Sequence, residues 1–216
     1  YVHLSTGNYN DRTAQAYTDF GLFTADPAFG RETAEVFNLL TGYSEPPRTE
    51  KLVTSPLDLR AWFLARIRRE ADAARRGEDS GIRAKLNALV DEALIRALYE
   101  ASQAGVRIEL VVRGSCCLRP GVAGLSQTIT VRSIVDRYLE HSRAFCFHAG
   151  GARELFLSSA DWMARNFDRR VEVLFPVEDP ALREELHHAF EAWFADNCTA
   201  RELLPDLRQL RPTPRP

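Results

Sequence analysis

The stretch IRAKLNALVDEALIRALYEASQAGVRIELVVR, residues 82–113, decides the fold. Residues 82–90 are mostly apolar and read as a strand. Asp91 then stands where a helix N-cap belongs, apolar residues recur at helical spacing through the next run, and Gly105 offers a left-handed stop. Residues 106–113 are β-branched and aliphatic and read as a second strand that ends at Arg113. Strand, amphipathic helix and strand in this order make a right-handed crossover between parallel neighbours.

Working outward, KLVTSP (51–56) reads as a short strand, and residues 57–77 read as a helix with Leu59, Trp62, Phe63 and Ile67 on one face and Gly77 as its end. Further strands are expected at 128–135, 142–148, 154–159 and 169–177, and a closing amphipathic helix at 179–196. Before this block, residues 1–10 read as a strand entering a Gly/Asn turn, 19–26 as a second strand, and 31–42 as a helix ended by Gly42. Ser44–Glu50, with two consecutive prolines, is the linker candidate because proline extends neither element. The expected division is therefore 1–48 and 49–216, and the tail from residue 208 is expected to be loose. The expected class is α/β, with a mostly parallel mixed sheet flanked by helices.

A chain of 216 residues that is 45% hydrophobic can bury a good core. A net charge of −2 argues against non-specific nucleic-acid binding, so any anion site must be local. Lysine occurs only at Lys51 and Lys85, which leaves nearly all positive charge on arginine, a bias that base composition alone can also produce. Cys116, Cys117, Cys146 and Cys198 show no zinc-like spacing and read as buried free thiols in a reducing, cytoplasmic setting. No apolar run approaches the ~20 residues of a membrane span. The one methionine is Met163, which suggests a fragment of something longer.

Three polar segments follow or interrupt apolar runs: VVRGSCCLRPG (111–121), YLEHSR (138–143) and SSADWMARNFDRR (158–170). They place Arg113, Arg119, Arg143, Arg165, Arg169 and Arg170 near strand ends, where α/β sheets hold their ligands. Guanidinium forks suit phosphate oxygens, and His141 can take or give a proton near neutral pH. Phosphoryl chemistry is the first expectation. Residues alone leave His141 open between a satisfied histidine on a half-buried strand and a ligand, and leave Tyr17 closer to a core residue.

The strings HLSTGNYN (3–10), AYTDFGLFTAD (16–26), ALYEASQAGVRIELVVRGSCCLRPG (97–121), RSIVDRYLEHSR (132–143) and SSADWMARNFDRRVEVLFPVEDP (158–180) resemble the C-terminal part of polyphosphate kinase of the first type. The resemblance implies a phospholipase D-like fold and reversible transfer of the ATP terminal phosphate to polyphosphate through a phosphohistidine, whose histidine would lie upstream of Tyr1. His141-Ser142-Arg143 would occupy the second His-x-Lys element of that fold, with arginine in place of lysine. By the same resemblance His141 and Arg113 are catalytic, and Tyr17, Asp19, Arg113, His141 and Arg143 bind ATP or phosphate. His3, Asp161, Asn166 and Arg169 would support them. Metal ligands are expected to be absent from this chain, those for Mg²⁺ lying upstream. Implied partners are ATP or ADP and inorganic polyphosphate, with no nucleic acid and no transmembrane segment. Peripheral membrane association is left open, and a homo-oligomer is expected for the full-length protein. Ser5 and Asp136 stand where the family often has glycine. The alternatives are a phospholipase D-type phosphodiesterase or transferase, and a non-catalytic phosphate-binding fragment.

Overall fold

The computed structural model describes residues 1–42 and 49–212. In chain order the elements are β1 (Val2–Ser5), α1 (Asp11–Ala14), β2 (Tyr17–Thr18), β3 (Gly21–Thr24), α2 (Pro27–Leu40), β4 (Val53–Ser55), α3 (Leu59–Arg75), β5 (Gly81–Leu86) and α4 (Glu92–Gln103). After them come β6 (Arg107–Val112), β7 (Ile129–Ile134), β8 (Leu139–Glu140), β9 (Arg143–Phe147), β10 (Glu154–Ser158), α5 (Ala164–Arg169), β11 (Glu172–Pro176), α6 (Pro180–Ala195), β12 (Ala200–Leu203) and β13 (Gln209–Leu210).

The crossover forms as its pattern predicts. β5 and β6 pair in parallel from Gly81 opposite Arg107 to Leu86 opposite Val112, with α4 between them in sequence. Asp91 caps α4 by accepting the Leu94 N–H at 3.1 Å, and Gly105 ends the turn at φ 98°. The central sheet has nine strands among the described residues, in the order β13-β12-β7-β6-β5-β9-β10-β11-β4.

The parallel part of this mixed sheet is narrower than expected. Only β5–β6 and β6–β7 run parallel there, and the strands on both sides join antiparallel. Parallel neighbours need a crossover of a dozen or so residues, whereas β9 and β10 are joined by a tight turn whose Ala149, Gly150 and Gly151 all have positive φ.

Helices cover both faces. On one side α3 and α4 pack Leu59, Phe63, Ile67, Leu94 and Leu98 against Phe145 and Trp162. On the other, α6 contributes Leu186 and Phe190, which cluster with Phe175 and with Val2, Leu4 and Phe29 of the N-terminal part. That part is a β1–β3 ribbon whose alternation buries Val2 and Leu4 and exposes His3. The buried Glu32 of α2 fastens it by accepting the N–H groups of Glu50, Lys51 and Leu52 at 2.8–3.1 Å. A second tie is the short parallel ladder of β2 with β8.

Other differences have local causes. The strand expected over 82–90 ends at Leu86, because Leu89 leaves the sheet to bridge both Cys116 and Trp162. The helix expected from residue 31 begins at Pro27, capped by Asp26. The tail is not loose throughout: Gln209 and Leu210 pair with Leu203 and Glu202. Residues 44–48 of the proposed linker, and 213–216, lie outside the described residues. The cysteines are free, but only Cys146 is buried, and Cys117 and Cys198 are exposed. Among the described residues no helix is long and apolar enough to cross a membrane.

Candidate active site

The chain's polar convergence lies where β5 ends and β9 begins. The N–H groups of His141 and Ser142 donate to the Thr18 carbonyl at 3.3 and 2.9 Å, which lays the segment after β2 alongside that before β9. This contact brings Asp19 to His141 across 122 positions of sequence: the imidazole Nδ1 lies 2.8 and 3.1 Å from the two carboxylate oxygens. Asp19 is itself held, because Thr6 Oγ1 donates to its Oδ1 at 2.7 Å and in turn accepts the Phe20 N–H at 3.0 Å. Glycine at position 7 leaves room for this carboxylate, since a Cβ there would come 2.3 Å from Asp19 Oδ2 and displace it.

Arg143 is enclosed. Its Nη2 and Nε donate to the Asp161 carboxylate at 2.8 and 3.3 Å, and its Nη1 donates to the Thr6 carbonyl at 2.9 Å and lies 3.1 Å from His141 Nε2. Asp161 also accepts the N–H groups of Asn87 at 2.6 Å and Ala88 at 3.2 Å. Asn87 then joins two functional candidates. Its Nδ2 donates to the His141 carbonyl at 3.0 Å, and its Oδ1 accepts from Arg113 Nε at 2.9 Å. Arg113 directly follows β6, its carbonyl accepts from Ser133 Oγ at 2.9 Å, and a Cβ on Gly114 would come 2.9 Å from the Asn87 carbonyl. The Tyr17 ring lies 4.8 Å from the imidazole, centroid to centroid.

The two arginines of the cluster therefore differ. Arg143 is compensated by Asp161 and buried, whereas Arg113 is half-buried and, among the described residues, meets a neutral amide and no carboxylate. A guanidinium without a counter-charge, at a strand end, is suited to an incoming anion. The Asp19 carboxylate is an acceptor only, so it accepts a hydrogen bond from Nδ1–H of His141, and Nε2 is the ring nitrogen at which a proton can come and go.

Tyr17, Asp19, Arg113, His141, Arg143 and Asp161 thus meet in one place. His3 does not join them: it stacks on Phe23 at 4.2 Å and bonds the Tyr9 hydroxyl at 2.8 Å on the exposed side of β1. Asn166 donates to Glu172 at 2.6 Å, and Arg169 is exposed at the end of α5. Arg119 donates to the Pro205 carbonyl and Arg165 is exposed, so neither extends the cluster. Ser5 accepts the Gly7 N–H, and exposed Asp136 accepts the Arg137 N–H. Thr6, Lys85 and Asn87 were not among the expected residues. Their one sequence signal is a polar residue inside an apolar or turn run.

Lys85 is 1% exposed, and burial pulls its ammonium down to about 8 despite the nearby Glu140. The folded chain then holds fewer protons on this group than the unfolded chain between about pH 8 and its ordinary 10.5, so this contribution to stability rises across that window. Thermal midpoints measured across it should climb relative to those of Lys85→Met, in which the rise is absent.

Among the described residues no three His, Cys, Asp or Glu side chains converge as a metal cage requires. The described residues do not fit a Mg²⁺ site.

The family model for polyphosphate kinase C-terminal domain 1 matches residues 1–46, and that for polyphosphate kinase C-terminal domain 2 matches 52–214. A polyphosphate kinase of Synechocystis sp. is 52% identical over 206 residues, covering 95% of this chain and 28% of the relative. One of Rhodopirellula baltica is 51% identical over 215 residues, covering 100% of this chain and 25% of the relative. The chain thus spans between a quarter and a third of the length of these relatives. The crystal structure of polyphosphate kinase from Porphyromonas gingivalis superposes with a TM-score of 0.93 at 41% identity, over 97% of this chain and 32% of that one. The phospholipase D family member Nuc of Salmonella typhimurium shares the fold, with a TM-score of 0.50 at 15% identity over 71% of this chain and 97% of that one. The chain belongs to the polyphosphate kinase family.

Proposed function

We propose that the polypeptide carrying this chain transfers the terminal phosphate of ATP reversibly to inorganic polyphosphate through a phosphohistidine. The observation that carries this reading is the Asn87 side chain, which holds His141 by its carbonyl and the uncompensated Arg113 by its Nε at 3.0 and 2.9 Å. One amide thereby ties the His141 backbone to the Arg113 guanidinium.

In this reading a histidine outside the 216 residues attacks the terminal phosphorus, its N–P bond forms as the P–O bond to ADP breaks, and a terminal oxygen of polyphosphate later displaces that nitrogen. Negative charge spreads over the equatorial oxygens in each transition state. Arg113 stands to receive it, and because its guanidinium is already oriented by Asn87, little reorganisation is needed. In this reading His141, as the imidazolium, gives its Nε2 proton to the departing phosphate oxygen as the P–O bond breaks, and takes that proton back from the same oxygen in the reverse direction. Asp19, on Nδ1, favours the imidazolium from which that proton leaves, and Arg143 Nη1 lies against the ring at 3.1 Å from Nε2. Tyr17, packed on His141, offers a face for the nucleotide base.

Mg²⁺ neutralises phosphate charge in chemistry of this kind, and its ligands in this reading lie outside the chain. The reading also places the protein in the cytoplasm, as a homo-oligomer. We set the boundary of its two units after residue 48. The gap between the matched spans 1–46 and 52–214 supports that placement.

Incubating the polypeptide as encoded with ATP and Mg²⁺ tests the reading. Acid-labile phosphohistidine and lengthening polyphosphate are expected, and hydrolysis of phosphodiesters without either product would overturn it. Arg113→Ala should lower kcat/KM for ATP about 30-fold, the equivalent of ~2 kcal/mol for a charge-assisted phosphate contact. Unchanged kinetics would remove Arg113 from the site.

A further inference from the structure

Lys85 lies on β5, beneath the segment that carries His141. Its ammonium donates to Ser142 Oγ at 2.8 Å and to the Ser142 carbonyl at 3.2 Å, and it lies 3.2 Å from Glu140 Oε2. It therefore grips the residues on both sides of His141, while Asn87, two positions along the chain, holds the His141 carbonyl itself. The face of Trp193 closes the far side, 5.0 Å from the ammonium to the ring centroid. Burying an ammonium in a sheet interior is unfavourable unless every proton finds a partner, and an aliphatic side chain would fill this position at lower cost. A lysine here therefore points to a task beyond packing.

We propose that Lys85 is a positioning residue for the phosphoryl transfer, its ammonium fixing Glu140 and Ser142 so that the His141 imidazole presents Nε2 to the incoming phosphate. This rests on the reading that His141 acts on that phosphate. The arrangement differs from a purely structural ion pair in its geometry. Both acceptors belong to the immediate neighbours of one residue, so losing the ammonium frees the backbone that aims the ring.

The charged groups around it set the pH behaviour. Glu140 approaches from β8, Asp19 from the turn after β2 and Arg143 from β9, and these raise, raise and lower the ammonium in turn. β6 places apolar Val111 opposite Lys85, α6 supplies the Trp193 ring, and Arg83, two residues back on β5, is occupied by Glu109 and Glu191. Burial outweighs the attraction of Glu140 and brings the group to about 8. Above that pH Lys85 loses its proton and one of its donors, so the grip on Ser142 and Glu140 slackens just where the fold gains stability. Activity and stability then move in opposite directions with pH, which a packing role does not produce.

The test is steady-state kinetics on the polypeptide as encoded, from pH 6.5 to 9.5, with ATP and polyphosphate. Lys85→Met keeps the length and removes the charge; kcat should fall about 30-fold while the KM for ATP stays within about threefold, the signature of lost transition-state alignment. The alkaline decline in kcat near pH 8 should be present in the wild type and absent in this variant. Glu140→Gln removes a partner that raises the ammonium, so the decline should move about one pH unit lower. That shift decides the question even if Lys85→Met does not fold, and an unmoved decline would overturn the proposal. His141→Ala is measured beside them. If it collapses turnover while Lys85→Met keeps wild-type kcat and the same alkaline decline, the Lys85 inference fails and the reading of the site stands. If His141→Ala itself turns over normally, that reading fails and takes this inference with it.

Discussion

Replacing His141 by alanine is expected to lower turnover by about 10²–10⁴-fold, the range for a positioned proton-transfer group, with the KM for ATP changed far less. The split follows from geometry. The residue is only 8% exposed, with Asp19 on Nδ1 and Arg143 Nη1 3.1 Å from Nε2, so it adds little to the surface that first meets a nucleotide. Its contribution rises as the bridging oxygen takes up charge, and interactions stronger in the transition state than in the ground state appear in kcat. Asp19→Asn should reproduce part of this loss. An amide in that place cannot stabilise the imidazolium as a carboxylate does, while the side-chain volume is kept. Rapid-quench measurement of phosphate transfer compares the three proteins. A His141→Ala protein that raised KM and kept kcat would make His141 a ground-state ligand instead.

Asp161→Ala should destabilise the fold by about 3–5 kcal/mol, the range for removing one partner of a buried ion pair. Asp161 and Arg143 are 6% and 8% exposed, and the carboxylate also accepts two backbone N–H groups where the chain turns out of β5. Its loss leaves a buried guanidinium without a counter-charge and two buried N–H groups without an acceptor, each a large cost. Removing both charges in Asp161→Ala/Arg143→Met should cost less than the sum of the single changes, because no uncompensated charge remains. Denaturant unfolding followed by tryptophan fluorescence gives these values. Trp162 adjoins Asp161 and is fully buried, so it reports this region. A single change within 1 kcal/mol of wild type would mean that water, not Asp161, solvates Arg143.

The crossover at 82–113 was legible because each part carries its own period, cap and stop, all in local sequence. Strand direction beyond it was not. Whether β9 meets β5 in parallel or antiparallel depends on the route of the chain between residues 113 and 143, and apolar runs carry no direction. α1, α5, β8 and β13 are too short for periodicity to register.

At the site, Arg113 and His141 stood out because polar residues of those types closed apolar runs. Arg143 looked like a second phosphate ligand. Only the fold reveals that Asp161, 18 positions away, already holds it, whereas Arg113 meets no carboxylate among the described residues. Asn87 and Lys85 lie in a run read as strand, and their partners at His141, Ser142 and Glu140 are more than fifty positions distant. No local pattern encodes such contacts. The β2–β8 ladder likewise delivers Asp19 to His141 through backbone pairing of two residues, which no composition announces.

The central claim is that Arg113 and His141, joined through Asn87, hold one phosphate between them. A crystal structure of the polypeptide as encoded, bound to a non-hydrolysable ATP analogue, tests it most directly. The account predicts phosphate oxygens within hydrogen-bond distance of both the Arg113 guanidinium and His141 Nε2, with Asp19 still on Nδ1. An analogue seated elsewhere, with neither side chain touching a phosphate, would contradict it.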